Sequence, residues 1–159
     1  ASVEKACNGL NNMLNMNGDI KPSIIKNSMR DAMSEHAGVF RDESELAICE
    51  DKIRELSEKL NYIEIKDKSL IWNNSIIEAL ELQNMLAQAL ATVVSARKRK
   101  ESRGSHYRND YTKRDDKNWM VHSFVTIDSK NNVTYKKTPV RSFGDNSEMQ
   151  TLLPEERKY

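Results

Sequence analysis

The amino-acid sequence predicts a mainly α fold, an antiparallel helical bundle followed by a β-hairpin and an irregular C-terminal tail. Three observations predict it. Apolar residues recur at three- and four-residue steps through the first hundred positions. A run of aromatic and β-branched residues at 119–127 precedes a polar turn cluster and a second β-like run. Between these regions, residues 97–122 (RKRKESRGSHYRNDYTKRDDKNWMVH) carry dense charge with no hydrophobic period. The expected divisions are a bundle over 1–100, a charged loop over 101–118, a hairpin over 119–137 and a tail over 138–159, all within one domain.

In the first helix Val3, Cys7, Leu10 and Leu14 share a face, and Asn17-Gly18 supplies a helix stop. Pro22 opens the second helix at a position where its missing amide hydrogen is harmless. Ile25, Met29, Ala32, Met33, His36 and Phe40 line its inner face, with His36 read as a packed boundary residue because no second ligand lies at helical spacing. The third helix starts at a capping-box pair, Asp42 and Glu45, and repeats Leu46, Cys49, Ile53, Leu56, Leu60 and Ile63 in a heptad rhythm. Its outer charges, including Glu55 and Lys59 at i, i+4 spacing, form a solvated face. The fourth helix, with Ser75 and Glu78 as its expected cap, carries two stripes. Leu82, Met85, Leu86, Ala89, Leu90 and Val93 form one; Ile76, Ala79, Leu80, Ala87, Ala91 and Val94 form the other. An apolar surface this broad marks the central helix of the bundle.

Composition narrows the functional classes. The 159 residues hold 25 basic and 24 acidic side chains for a net charge of +1, so any basic patch is local and a dedicated nucleic-acid binder is disfavoured. Mean hydropathy is −0.74. No apolar run approaches the about 20 residues a membrane helix needs, and the start has no signal-peptide pattern, so a soluble chain is expected. Cys7 and Cys49, each on a helical pattern, are read as buried free thiols. Dinucleotide-binding GxGxxG, P-loop and zinc-ligand spacings are all missing from the sequence. Ser102, Ser105 and His106 stand close together without a nucleophile elbow. Arg103, His106, Arg108 and Arg114 are suited to an anion, yet Glu101, Asp110, Asp115 and Asp116 are equally suited to satisfy them within the protein.

Residues Glu101 to His122 resemble the C-terminal signature of the flavoprotein subunits of succinate dehydrogenase and fumarate reductase, shared more loosely with L-aspartate oxidase. Glu81-Leu82-Gln83-Asn84-Met85-Leu86, with Ala89 to Ala96 behind it, resembles the helix preceding that signature, and Arg157 with Tyr159 matches the usual Arg-x-Tyr ending. Ser105 departs from the family's alanine, a small-for-small change. The resemblance covers the whole chain and favours the succinate dehydrogenase branch.

The resemblance implies a spectrin-repeat-like three-helix core plus one extra helix, acting as a structural and docking domain. It further implies that FAD and the catalytic residues belong to N-terminal FAD-binding and capping domains, so no catalytic, cofactor-binding or metal-binding residue is expected in this chain, which alone should be inactive. The implied partners are those two domains, an iron-sulfur subunit and membrane-anchor subunits. The implied location is the cytoplasmic face of the inner membrane or the mitochondrial matrix face. On this reading Arg103, His106, Arg108, Arg114, Asp115 and Asp116 form a polar interdomain contact, and the loop without its partner surface should rearrange or become solvated. A competing class is a small RNA- or protein-binding module using the arginine-rich loop, with Tyr107, Tyr111 and Trp119 for stacking.

Overall fold

The computed structural model describes residues 2–128 and 130–140. Four long helices dominate: α1 (Ser2–Leu14), α2 (Pro22–His36), α3 (Glu43–Lys59) and α4 (Asn74–Lys98). Between them lie a two-residue strand β1 (Phe40–Arg41) and a 3-10 turn (Leu60–Tyr62). After α4 come β2 (Tyr107–Arg108), the short helix α5 (Asp116–Trp119) and the hairpin strands β3 (Val121–Ile127) and β4 (Val133–Pro139). The strands form two separate sheets, β1 parallel to β2 and β3 antiparallel to β4.

Helices α2, α3 and α4 pack on one another, and α1 touches α4 only lightly. Contacts between His36 and Glu45 and between Cys49 and Ala32 run in opposite directions along α2 and α3, which makes that pair antiparallel. The heptad residues Leu46, Cys49 and Ile53 are fully buried against Ile25, Leu82, Leu86, Leu90 and Val93. Each such leucine or isoleucine contributes about 1.5–3 kcal/mol through its removal from water. Helix starts follow their side chains. Asp42 accepts from the Glu45 amide at 3.0 Å, while the Glu45 carboxylate turns to His36 rather than back to the cap. Pro22 sits in the first turn of α2, and Glu55 meets Lys59 at 2.6 Å.

Several expectations are corrected. Phe40 does not extend α2, which stops at His36; it lies in β1 with 71% of its surface exposed. Leu60 and Ile63 do not continue α3. The helix tightens at Lys59, and Ile63 is buried instead through a backbone bridge to Ile20. The cap of α4 is Asn73, whose buried side chain accepts from the Ile76 amide at 3.0 Å and donates to Asp67 and Ser69 carbonyls; Ser75 lies inside the helix. Of the two α4 stripes, Leu80 faces outward. Cys49 is buried but Cys7 is exposed, as is Val3, because α1 reaches the core through its C-terminal half, with Met13 and Leu14 buried and Leu10 packed partly against it. Trp119 belongs to α5, and β4 runs on to Pro139, past the expected hairpin end at 137. The tail over 141–159, with Arg157 and Tyr159, lies outside the described residues.

Gly18 fixes how the chain enters the bundle. Its amide donates to the Ile63 carbonyl at 3.1 Å, and a Cβ there would lie 1.8 Å from the Tyr62 carbonyl oxygen. Backbone cannot retreat from such an overlap without breaking the 17–20 and 62–64 pairing. Leu86→Ala or Leu90→Ala should therefore destabilise the chain by about 2–5 kcal/mol in urea unfolding, Gly18→Ala should also destabilise it, and Leu80→Ala should stay within about 1 kcal/mol.

A saturated charge network as the candidate functional site

The charged loop folds back onto the bundle around two buried ions. Arg108 and Glu101 have no exposed side-chain surface. Arg108 uses all five of its N–H donors. Its Nε and Nη2 grip Asp110 at 2.7 and 2.6 Å, and its Nη1 donates to the Ala96 and Arg97 carbonyls at 3.1 Å. The second Nη2 hydrogen reaches Glu43 at 3.4 Å. These carbonyls belong to the last turn of α4, where orphan acceptors and the helix dipole both favour a cation. One guanidinium thus joins the end of α4, the start of α3 and the loop.

Glu101 is the counterpart. Its Oε1 accepts from Arg99 and from Arg103 Nε at 2.8 Å, and its Oε2 from Arg103 Nη2 at 3.0 Å and the Asp115 amide at 2.9 Å. Burial pushes this carboxyl up, but the bonds from Arg103, Asp115 and Arg99 outweigh it and hold it below the ordinary value. Asp116 then binds Arg103 at 2.5 Å and Arg114 at 2.7 Å, while Asp115 caps α5 through the Asn118 amide at 3.1 Å. Arg99 continues the chain of contacts into the hairpin, donating to the Trp119 and Val121 carbonyls at 3.1 and 2.7 Å. Its guanidinium stands over one side of the Trp119 ring at 5.4 Å, and Lys137 Nζ lies 3.2 Å from the ring centre.

All six residues expected to make an interdomain contact lie in this network, at different depths. Arg108 is wholly inside and His106 partly so, with Nε2 3.3 Å from the Arg99 carbonyl and Nδ1 3.1 Å from Arg41 Nη1. Arg103, Arg114 and Asp115 are partly covered, and Asp116 is exposed. The loop is folded onto the bundle with its central charges paired within the chain, while Asn109 to Lys113 and Asp116 to Asn118 stay exposed. Sequence reasoning offered Glu101 and Asp110 as internal counter-charges but missed Glu43, Arg41 and Arg99 as central members. The Glu101–Arg103 spacing was a usable signal; Glu43 and Arg41, more than sixty residues away, offered none.

Exposed apolar side chains cluster elsewhere. Leu70, Ile71 and Trp72 are 74, 76 and 92% exposed on the loop before α4, and Val39 and Phe40 are 69 and 71% exposed beside Tyr107. Trp72 adopts φ +55°, a strained value for a bulky residue, and is followed by the tightly held Asn73. A groove of about 900 Å³ is lined by Leu10, Met13, Leu60, Leu86 and Ile127 among others, with Gln83 and Asn84 among its polar members. Its lining includes no glycine-rich helix N-terminus of the kind that cradles a pyrophosphate. No group of three or more potential metal-ligating side chains clusters among the described residues.

Comparison with known proteins gives a consistent picture. The family described as "Fumarate reductase flavoprotein C-term" matches residues 26–159. The chain is 40% identical over 159 residues to the succinate dehydrogenase flavoprotein subunit of Rickettsia felis, covering 100% of this chain and 27% of that protein. It is 39% identical over 156 residues to the mitochondrial succinate dehydrogenase [ubiquinone] flavoprotein subunit of Oryza sativa, covering 98% and 25% respectively. It therefore spans about a quarter of the length of these relatives. A solved structure of an E. coli quinol fumarate reductase variant superposes with a TM-score of 0.86 at 28% identity, over 90% of this chain and 25% of that one.

The two buried ions give separable tests. Arg108→Met should cost about 3–5 kcal/mol by taking the donor from the Ala96 and Arg97 carbonyls and from Asp110, while Glu43 keeps Arg97. Arg108→Lys keeps the charge but loses the planar fork, and should cost about 1–3 kcal/mol; an order reversed in urea unfolding would contradict the network. For Glu101 the lowered value means its stabilisation is complete above the unfolded value of about 4.3 and is lost as pH falls below that toward the folded value. Acid unfolding of Glu101→Gln should lack this component.

Proposed function

Because this chain belongs to the family of succinate dehydrogenase and fumarate reductase flavoprotein C-terminal domains, we propose that it is the helical docking domain of such a subunit. The whole subunit would oxidise succinate to fumarate and pass electrons from FAD to an iron-sulfur subunit and quinone. The observation that carries this reading is the 40% identity, sustained over the whole chain, to a succinate dehydrogenase flavoprotein subunit. The 0.86 TM-score against a fumarate reductase supports the same architecture and keeps fumarate reduction as the second reading.

In this role the domain contributes shape and rigidity, while flavin and substrate are held by N-terminal FAD-binding and capping domains. Two surfaces at opposite ends of α4 are available for docking, the polar rim of the charged loop and an exposed apolar loop. Arg103, Arg114, Asp115 and Asp116 meet the neighbouring domain directly, and Arg108 and His106 hold them in place from inside. The exposed side chains of Leu70, Ile71 and Trp72 supply apolar area that a lone domain has little reason to present. No helix among the described residues is long and apolar enough to cross a membrane, in keeping with a peripheral subunit. We place that subunit on the cytoplasmic face of the inner membrane or the mitochondrial matrix face, reaching the bilayer through membrane-anchor subunits.

Antibodies raised against this chain provide the test. They should deplete succinate-dependent dye reduction from an extract of its source, together with a flavin-bearing protein several times larger than 18.3 kDa. Activity left in the supernatant, or depletion of fumarate reduction alone, would reject the succinate-oxidising reading. The 159-residue chain purified alone should show no flavin absorbance.

A further inference from the structure

His106 connects three separate parts of the chain and does so in one protonation state. Its Nδ1 lies 3.1 Å from Nη1 of Arg41, and a guanidinium offers only donors, so Nδ1 must carry the lone pair. Nε2 then carries the hydrogen and donates to the Arg99 carbonyl at 3.3 Å. The partners thus specify the neutral Nε2–H tautomer. Arg41 is itself fixed, donating from Nε to the Gly38 and Ala37 carbonyls at 2.7 and 3.2 Å just past the end of α2. Around the ring the backbone is pinned in short range. Arg103 and His106 exchange bonds at 2.8 and 3.0 Å across a turn in which Gly104 takes φ +57°. The β2 residues Tyr107 and Arg108 pair with Phe40 and Arg41, and the Asn109 amide donates to the Arg41 carbonyl at 2.7 Å.

The charges facing this imidazole are of one sign. Arg41 approaches from β1, Arg99 from the end of α4 and Arg108 from β2. Carboxylates on the elements nearby are already engaged. Glu101 accepts from Arg99 and Arg103, Asp110 and Glu43 accept from Arg108, and Glu43 also accepts from Arg97.

We infer that His106 is a proton-sensitive latch: gaining a proton at Nδ1 removes its acceptor for Arg41, sets a fourth cation among three arginines, and releases residues 103–109 from β1. Release separates Tyr107 from Phe40, whose rings meet edge to face at 5.7 Å, and frees the loop that carries the charged rim. Burial holds the latched imidazole below its ordinary value. The Arg99 carbonyl opposes this, and the charges of Arg41, Arg108 and Arg99 reinforce it. In the released loop the ring returns to about 6.5. The latched form is therefore fully favoured above about 6.5 and weakens as pH falls from there toward the latched value, by at most about tenfold per pH unit for one proton. Glu101 does not confuse the readout, because its own window lies below about 4.3.

Imidazole NMR and amide exchange on this chain between pH 7.5 and 5, corrected for intrinsic exchange, test the latch. The expected result is an Nε2–H tautomer at neutral pH and a His106 midpoint below about 6.5. Protection of the His106 and Asn109 amides should fall with pH by up to about tenfold per unit. In H106Q the side-chain oxygen accepts from Arg41 and the amide nitrogen donates to Arg99, so the loop should stay protected and lose this pH dependence. An Nδ1–H tautomer, a midpoint at or above about 6.5, or the same acid-induced loss in H106Q would overturn the proposal. If H106Q does not fold, the tautomer and midpoint of the unsubstituted chain decide the matter.

Discussion

A single buried guanidinium closes one end of this molecule. Arg108 is tolerable in a site with no solvent only because five donors meet five acceptors, two of them main-chain carbonyls at the end of α4 and three of them carboxylate oxygens. Removing charge from water costs several kcal/mol, and such a group is stable only where geometry satisfies it completely. The arrangement consequently fixes three things together, namely where α4 stops, where α3 starts and how the loop after Gly104 returns. Glu101 repeats the logic with opposite sign, four donors meeting two oxygens.

The contacts spread from these two ions into the hairpin. Arg99, one of the donors to Glu101, also holds the Trp119 and Val121 carbonyls, so the first strand of the hairpin hangs from the same cluster. At the far end of the hairpin, Arg54 on α3 donates to the Asn131 carbonyl at 3.1 Å, and Asp128 organises the turn by accepting from the Lys130 and Asn132 amides. A two-stranded ribbon is marginal by itself. Here it is tied to the bundle at both ends, with Ile127 and Val133 packed against the core.

What was legible in the sequence was what is local. The three-four period of α2, α3 and α4 and the Asp42 cap are properties of neighbours along the chain, and the structure follows them. The first helix shows the boundary of that method: its stripe from Val3 to Leu14 is regular, but a stripe says only that a face is apolar, not that anything in this chain covers it. The loop shows another boundary. Its residues suited an outside surface and pairing within the chain equally, and what holds Arg108 includes Glu43 sixty-five residues away and two backbone carbonyls that no sequence pattern displays. His106 was expected at an interdomain contact; its depth and its partner Arg41 could be seen only once β1 and β2 were paired.

A network saturated from within has a consequence for how the domain would meet the rest of a flavoprotein subunit. Ions whose lone pairs and hydrogens are already engaged gain little from a new polar neighbour, and the partly exposed ones at the rim, such as Asp116, are screened by solvent and salt. Most of the attraction must then come from apolar area not yet covered. Leu70, Ile71 and Trp72 stand at the turn entering α4, the end of the bundle opposite Arg108, where Asn73 donates to the preceding Asp67 and Ser69 carbonyls and accepts from the following Ile76 amide. Docking through such a preformed loop orders few additional side chains, so little of the burial gain is spent on entropy. Polar closure at one end and apolar exposure at the other thus divide the work. The ions tie the helices and the loop together, and the loop before α4 would give that body apolar area to bind with.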